Sequence, residues 1–404
     1  MNSSSGTSPG RFRVVSTLAL ASSLGFLVLT GPAAATPAAG PGWSAAVTAL
    51  DPGCQPDVST AAATAGPDGR VHGFAGYVRG TCTDDPLWYF QGRAGRWAQA
   101  RSPYHGDVLA TAADSTGSWL LYLDSAGYDR VMLGRRTRAG GWAAPRTIST
   151  LRGSAVGSGV QGAALVARGG RWWAVWAQAL PDPDSSSPAT RLFQAGTLGG
   201  PRPARPITTP PAGSQETNPA LALLPGRAGG AVLVWARDVR GAATGTQNDE
   251  LRFATSAPDG RWRATVSVPA GPGPAALHPV LSRAAGTTWL AWQRQGLDPD
   301  GPADSAVLIT PQPARPREPA VFTAAGGAPV IAAGPGRVDV AWPSADRTGI
   351  VLATRAGGGW STQTVRLSNA ARSLRPLAIT AAGRTRTLVV QSRSAAGRIY
   401  AVTG

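Results

Sequence analysis

The chain has 404 residues, 43% of them hydrophobic, and a formal charge of +16 from 38 basic and 22 acidic side chains. That hydrophobic fraction supports a large core and excludes a disordered polyelectrolyte. Every basic residue except histidine is arginine, and the arginines are scattered, so the charge predicts a solvated surface with some affinity for acidic glycans and no nucleic-acid partner.

The first segment reads as an export signal over residues 1–35. Arg11 and Arg13 precede the apolar stretch Val14–Thr30, and Ala33, Ala34 and Ala35 form a small-residue cleavage site. No cysteine stands there to carry a lipid, and no second apolar run of spanning length follows. The expectation is a secreted monomer without a membrane span, with one domain over residues 36–404. Cys54 and Cys82 are the only cysteines, and in an exported chain they predict a disulfide closing a loop of about 28 residues, contributing about 3 kcal/mol.

One pattern then repeats along the chain. Each unit opens with a small-residue apolar strand: from Val58, Val108, Ala163, Ala220, Val280, Val330 and Leu377 in turn. A glycine-containing turn follows, then a second strand ending on Tyr77, Tyr122, Trp176, Trp235, Trp292 or Trp342, with Gln391 at the seventh place. Successive marks lie 45 to 59 residues apart, as in Tyr77 to Tyr122 and Trp176 to Trp235. Fourth strands begin at a Gly-Trp or Gly-Arg-Trp phrase, with Trp97, Trp142, Trp262 and Trp360. Units three and five carry Gly199-Gly200-Pro201 and Pro311-Gln312-Pro313 instead, which predicts irregular outer edges.

Seven such units predict an all-β, seven-bladed β-propeller, with six or eight blades as the alternatives. The seventh unit lacks its fourth strand, and the Trp43–Leu50 segment repeats the phrase around Trp360. It is therefore expected to close the ring and remove a free sheet edge.

Candidate chemistry gathers on the end where first strands begin and second strands finish, which also receives the longest insertions: Leu180–Pro188, Asp238–Glu250 and Gly296–Ser305. Asp57, Asp107, Gln161, Asn218, His278 and Arg375 precede the first strands. Arg79, Asp124, Gln178, Arg237, Arg294, Ser344 and Arg393 follow the second-strand marks by two residues. Converging guanidinium groups suit carboxylate or sulfate oxygens, so Arg79, Arg237, Arg294, Arg393, Asn218, His278 and Arg375 are the expected ligand-binding set. Glu216, Glu250 and the neighbouring Asp249 are the only acids arranged to serve glycoside hydrolysis, which requires a carboxyl pair. His72, His105 and His278 lack metal-ligand spacing, and the acidic Asp298–Asp304 loop has ordinary turn chemistry. No cofactor or metal is expected.

The turn before the fourth strand, in Ser256–Trp262 and in the Gln91–Trp97, Thr137–Trp142 and Thr354–Trp360 phrases, resembles the Asp-box of sialidase-like (BNR-type) propellers. The resemblance implies a propeller fold and, for a working sialidase, an arginine cluster on the substrate carboxylate, a place that Arg79, Arg237, Arg294 and Arg393 would fill. No Arg-Ile-Pro motif of that family occurs. The expected function is a non-catalytic secreted propeller that binds an extracellular glycan or protein through its long-loop face; the alternative is a divergent sialidase-like glycoside hydrolase.

Overall fold

Continuous apolar runs mark strands buried on both faces, while strict alternation marks half-buried ones. The chain uses both, according to distance from a central axis. A computed structural model describes residues 42–51, 58–78, 86–151, 159–180, 189–210, 214–225, 230–240, 247–257, 260–263, 265–268, 275–295, 306–311, 319–323, 327–367, 373–382, 385–392 and 397–404.

Strand β1 (Val47–Leu50) precedes the first full blade, which is β2 (Val58–Ala65), β3 (Val71–Val78), β4 (Trp88–Arg93) and β5 (Arg96–Arg101). Blade two is β6 (Gly106–Asp114), β7 (Gly117–Asp124), β8 (Arg130–Thr137) and β9 (Arg146–Thr150). Blade three is β10 (Val160–Arg168), β11 (Arg171–Ala179), β12 (Thr190–Gly196) and β13 (Arg202–Pro206). Blade four is β14 (Gln215–Leu223), β15 (Ala231–Arg240), β16 (Gln247–Thr255) and β17 (Val266–Val268). Blade five is β18 (Ala275–Ala284), β19 (Thr287–Gln295), β20 (Ala306–Pro311) and β21 (Ala320–Thr323). Blade six is β22 (Val330–Gly334), β23 (Arg337–Pro343), β24 (Gly349–Ala356) and β25 (Gly359–Arg366). Blade seven is β26 (Leu374–Ala382), β27 (Thr385–Ser392), β28 (Ile399–Thr403) and, as its outer strand, β1.

Each blade is a four-stranded antiparallel sheet in sequence order, except that β1 completes the seventh. The first strands contact one another in a closed cycle, from β2 through β6, β10, β14, β18, β22 and β26 back to β2. The fold is therefore a seven-bladed β-propeller. Small residues suit these inner strands because seven of them converge on one axis, leaving little lateral room.

The second strands lie between neighbouring sheets. Strand β11 is buried from Trp172 through Gln178, and outer strand β5 has only Trp97 and Ala100 partly covered. Seven apolar clusters fill the seven interfaces between blades. In six of them the second-strand aromatic of one blade packs on the blade before it: Trp176 on blade two, Trp235 on three, Trp292 on four, Trp342 on five, Tyr77 on seven and Tyr122 on one. Each buries a large apolar surface, stabilising by about 2–3 kcal/mol. Blade seven has Gln391 at that place, and Trp43 supplies an indole to its interface with blade six instead.

Three expectations need adjusting. The closing strand is Val47–Leu50 rather than the whole Trp43–Leu50 phrase, and a bulge interrupts its pairing with β28 between Thr48 and Leu50. Ahead of the strand, Ser44 N–H donates to the Thr403 carbonyl at 2.7 Å, and Thr403 N–H donates to Ser44 Oγ at 3.0 Å. The outer strands of blades three and five form despite the prolines: β13 pairs with one irregularity and β21 in continuous register. The two ends of the Asp238–Glu250 insertion are strand, since β15 and β16 remain paired out to Arg240 and Gln247. Cys54, Cys82, Asp57, Arg79, Arg393 and the Asp298–Asp304 loop lie outside the described residues.

Trp43 is 8% exposed, so Trp43→Ala should destabilise the protein by about 3–5 kcal/mol. Urea unfolding measures this, and an unchanged midpoint would show that the indole does not hold the ring shut.

Candidate functional site

The inner strands enclose a central channel of about 640 Å³. Most of its wall is alanine, threonine and branched aliphatic side chain, and three larger polar residues enter it from the end where these strands begin: Asn218, His278 and Arg375. Each precedes a proline, giving Asn218-Pro219, His278-Pro279 and Arg375-Pro376. The proline removes a ladder donor, and the pairing of the inner strand with the second strand slips at each place: between Thr217 and Ala220, Leu277 and Val280, and Pro376 and Ala378. A bulge re-aims the side chain it carries, and here the three bulged segments contribute to one channel wall.

Asn218 and His278 also hold left-handed backbones, with φ of 49° and 50°. A residue before proline is normally driven to extended conformations, so these two positions are strained by roughly 1–3 kcal/mol each. Neighbouring packing tightens the first: a side chain at Gly162, which has φ of 101°, would bring its Cβ to 3.0 Å from the Asn218 Cα. Burial pushes the His278 imidazolium toward losing its proton, and the nearby Arg375 charge adds to the effect. His278 is therefore neutral at physiological pH, with one ring nitrogen donating and the other accepting. Arg375 brings a fixed positive fork beside it. No carboxylate lines the channel among the described residues.

The other expected residues are mostly engaged within their own blades. Glu216, Arg237 and Glu250 face one another across three adjacent strands, with Glu216 opposite Arg237 and Arg237 opposite Glu250. Glu216 is fully buried, and its Oε1 accepts from Arg237 Nη2 at 2.6 Å and from the Trp235 indole at 3.2 Å. Arg237 Nη1 lies 4.0 Å from Glu250 Oε1, which also pairs with Arg252 Nε at 3.3 Å. The two glutamates are thus joined through a guanidinium, and neither lines the channel. Asp249 occupies a register position on β16 opposite Asp238.

Arg294 sits on β19 opposite Ala276 and Ala306. Asp124 pairs with Arg130, Gln178 accepts from the Trp176 indole at 3.3 Å, and Ser344 bonds the Gly349 backbone. Asp107, at the start of β6, differs from these. Its Oδ1 is buried without a partner among the described residues, and burial holds its carboxyl above the ordinary range.

Histidine spacing gave no signal for a second cavity of about 510 Å³, at the hairpin end of blades one and two, which is lined by His72, Asp68 and four arginines.

No protein-family model and no curated protein sequence matches the chain. Solved structures with similar folds include the polysaccharide lyase Uly1, with 12% identity over 82% of this chain and 87% of that one, at a TM-score of 0.49. An α-L-arabinofuranosidase, Arb93A from Fusarium graminearum, aligns at 12% identity over 89% and 96% of the two chains, with a TM-score of 0.47. The Penicillium chrysogenum α-L-arabinanase aligns at 11% over 90% and 98%, also at 0.47. These are propeller-type neighbours drawn from carbohydrate-active enzymes, and at such identities and scores they carry no argument about what this chain acts on.

Two outcomes follow from the geometry. Arg237→Ala leaves the buried Glu216 uncompensated and should cost about 3–5 kcal/mol of stability, read by urea unfolding; a change under about 1 kcal/mol, typical of an exposed pair, would contradict a buried ion pair. Asp107 has a folded pKa above its unfolded value, so the folded state binds its proton more tightly. Its destabilisation is complete above the folded pKa and vanishes as pH falls below the ordinary carboxylate range. Asp107→Asn should accordingly raise the melting temperature at pH 7 and not at pH 3, and an equal gain at both would remove the titration as its cause.

Proposed function

We propose that this protein is a secreted, monomeric propeller that binds an extracellular carbohydrate, with preference for an acidic one, at the mouth of its central channel. The observation that carries the reading is the entry of Asn218, His278 and Arg375 into one channel, each on a proline-bulged inner strand, with two of the three held in a strained left-handed backbone. Strain kept at two of these three places points to a functional constraint, because an inner strand needs none of it to pair. The chemistry fits the ligand class. A guanidinium fork grips a carboxylate or sulfate, while a neutral imidazole and an amide both donate to and accept from sugar hydroxyls. The scattered excess of arginine favours approach of an anionic ligand.

A second reading, a divergent sialidase-like glycoside hydrolase, draws on Asp107. A carboxyl whose affinity for its proton is raised by burial, at the same end of the propeller, is tuned in the direction a general acid needs. Its partner would have to come from Glu250 or Asp249, since Glu216 is closed in by Trp235 and Arg237.

A glycan array with the mature chain, followed by calorimetric titration of the best ligand, tests the first reading. His278→Ala and Arg375→Ala should each weaken binding by about tenfold or more, equivalent to about 1.4 kcal/mol. The reading fails if no glycan binds, or if both variants bind as the parent does. Turnover of a carbohydrate substrate that disappears in Asp107→Asn would shift the conclusion to the hydrolase.

A further inference from the structure

The second cavity lies at the other end of the molecule, where blades one and two meet. Its wall comes from the β2–β3 hairpin (Pro67, Asp68, Arg70), the β6–β7 hairpin (Asp114, Ser115), the strand residues His72, Tyr89, Gln91 and Ser118, and the Arg136–Gly140 turn. At about 510 Å³ it has the size of a small-molecule site. We propose that it binds a small molecule through a carboxylate, sulfate or phosphate group, independently of the central channel.

Charge is the first argument. Arg70, Arg93, Arg136 and Arg138 line the cavity against two acids, Asp68 and Asp114, and both acids are already engaged. Asp114 Oδ1 accepts from the Thr116 N–H at 2.8 Å and its hydroxyl at 2.6 Å, while Oδ2 accepts from Gly170 N–H at 2.8 Å. Asp68 accepts from His72 Nε2 at 3.0 Å and from the Arg70 N–H at 3.1 Å, with Arg70 Nε at 3.9 Å. Arg93, Arg136 and Arg138 have no carboxylate partner among the described residues. Three guanidinium groups around one concavity, with the local carboxylates engaged elsewhere, form a binding site for oxyanions.

Preorganisation is the second argument. The Arg136 guanidinium lies 4.6 Å over the Tyr89 ring and 5.1 Å from the Trp142 ring centre. The Tyr89 ring meets Trp142 edge-on at 6.0 Å. Stacking fixes the plane of the fork before any ligand arrives, so less side-chain entropy is lost on binding.

The floor of the cavity is a hydrogen-bond chain. A carboxylate only accepts, so His72 Nε2 carries the proton it gives to Asp68. His72 Nδ1 lies 2.9 Å from Ser118 Oγ and 2.8 Å from the Tyr89 oxygen, and the one Tyr89 hydroxyl proton goes to Gln91 Oε1 at 2.9 Å. Ser118 and Tyr89 are almost fully buried, at 2% exposure each. The chain therefore offers fixed polar groups at the bottom while the exposed arginines guard the rim.

Calorimetric titration of the mature chain with inorganic sulfate, inorganic phosphate and glucuronate tests the site and separates its candidate ligands. At least one of the three should bind saturably with one-to-one stoichiometry. Removing the rim fork in an Arg93→Ala, Arg138→Ala double variant should weaken it by about tenfold or more, as loss of charge-assisted hydrogen bonds does. Arg136→Gln should weaken it at least as much, and Arg146→Ala, on the outer strand of blade two, should leave it unchanged. If Arg136→Gln does not fold, the double variant of exposed residues decides. Absence of saturable binding by all three anions, or equal affinity in the double variant and the parent, overturns the proposal.

Discussion

Pairing of β1 with β28 is the constraint on which the remaining architecture depends. A blade in this protein is not stable by itself, because its second strand is apolar on both faces and needs a sheet on either side. Within a ring every face is covered; at a break two faces would be bare. The Trp43–Leu50 segment contributes to both interfaces of blade seven. Trp43 belongs to the cluster shared with blade six, while Ala49 and Leu50 belong to the one shared with blade one. One short segment therefore seals two of the seven interfaces and covers a sheet edge that would otherwise stay open to another chain. Ring closure also holds the inner strands close enough for residues from blades four, five and seven to share a single channel.

The repeat was legible in the sequence because its physics is local. A strand sandwiched between sheets must be apolar on both faces, and a strand at the axis must be small, so each position declares its layer. The Gly-Trp phrases were legible for the same reason: they mark a tight hairpin followed by an outer strand, as at Ala94 and Gly95, where φ is 45° and 81°. Strand edges were harder to place. The Asp238–Glu250 segment reads as a loop from its glycine, threonine and polar content, yet its two ends extend a hairpin in which Arg237 is matched to Glu216 on one side and Glu250 on the other. Opposite charges on neighbouring strands stabilise that register, and no period in the sequence reports it.

The candidate sites divide along the same line. Asn218, His278 and Arg375 could be found because each lies near the start of an inner strand and precedes a proline. What could not be read was which members of the same two rings line the channel and which, such as Arg237, turn instead to a buried glutamate in their own blade. The cavity at blades one and two left no sequence trace at all. Its members come from four hairpins and strands across an interface, and His72 stands 46 residues from the Ser118 it meets. Proximity of that kind exists only after the two blades have packed.

The net charge takes on a different meaning once the arginines are placed. Several lie over aromatic rings: Arg101 on Trp88, Arg135 on Trp119, Arg202 on Trp173, Arg355 on Trp289 and Arg386 on Trp43. Four of these five indoles, Trp43, Trp119, Trp173 and Trp289, are buried, and a planar guanidinium covers part of each ring by stacking on it. A lysine ammonium would be attracted to the ring but could not cover it in this way. A share of the +16 charge is therefore bound up with core packing and is a poor measure of affinity for anions. The informative arginines are those that line a concavity with no carboxylate to absorb them. By that criterion composition alone cannot distinguish an arginine that caps an indole from one that waits for a ligand, and Arg136, stacked on Tyr89 and Trp142 at the wall of a cavity, does both.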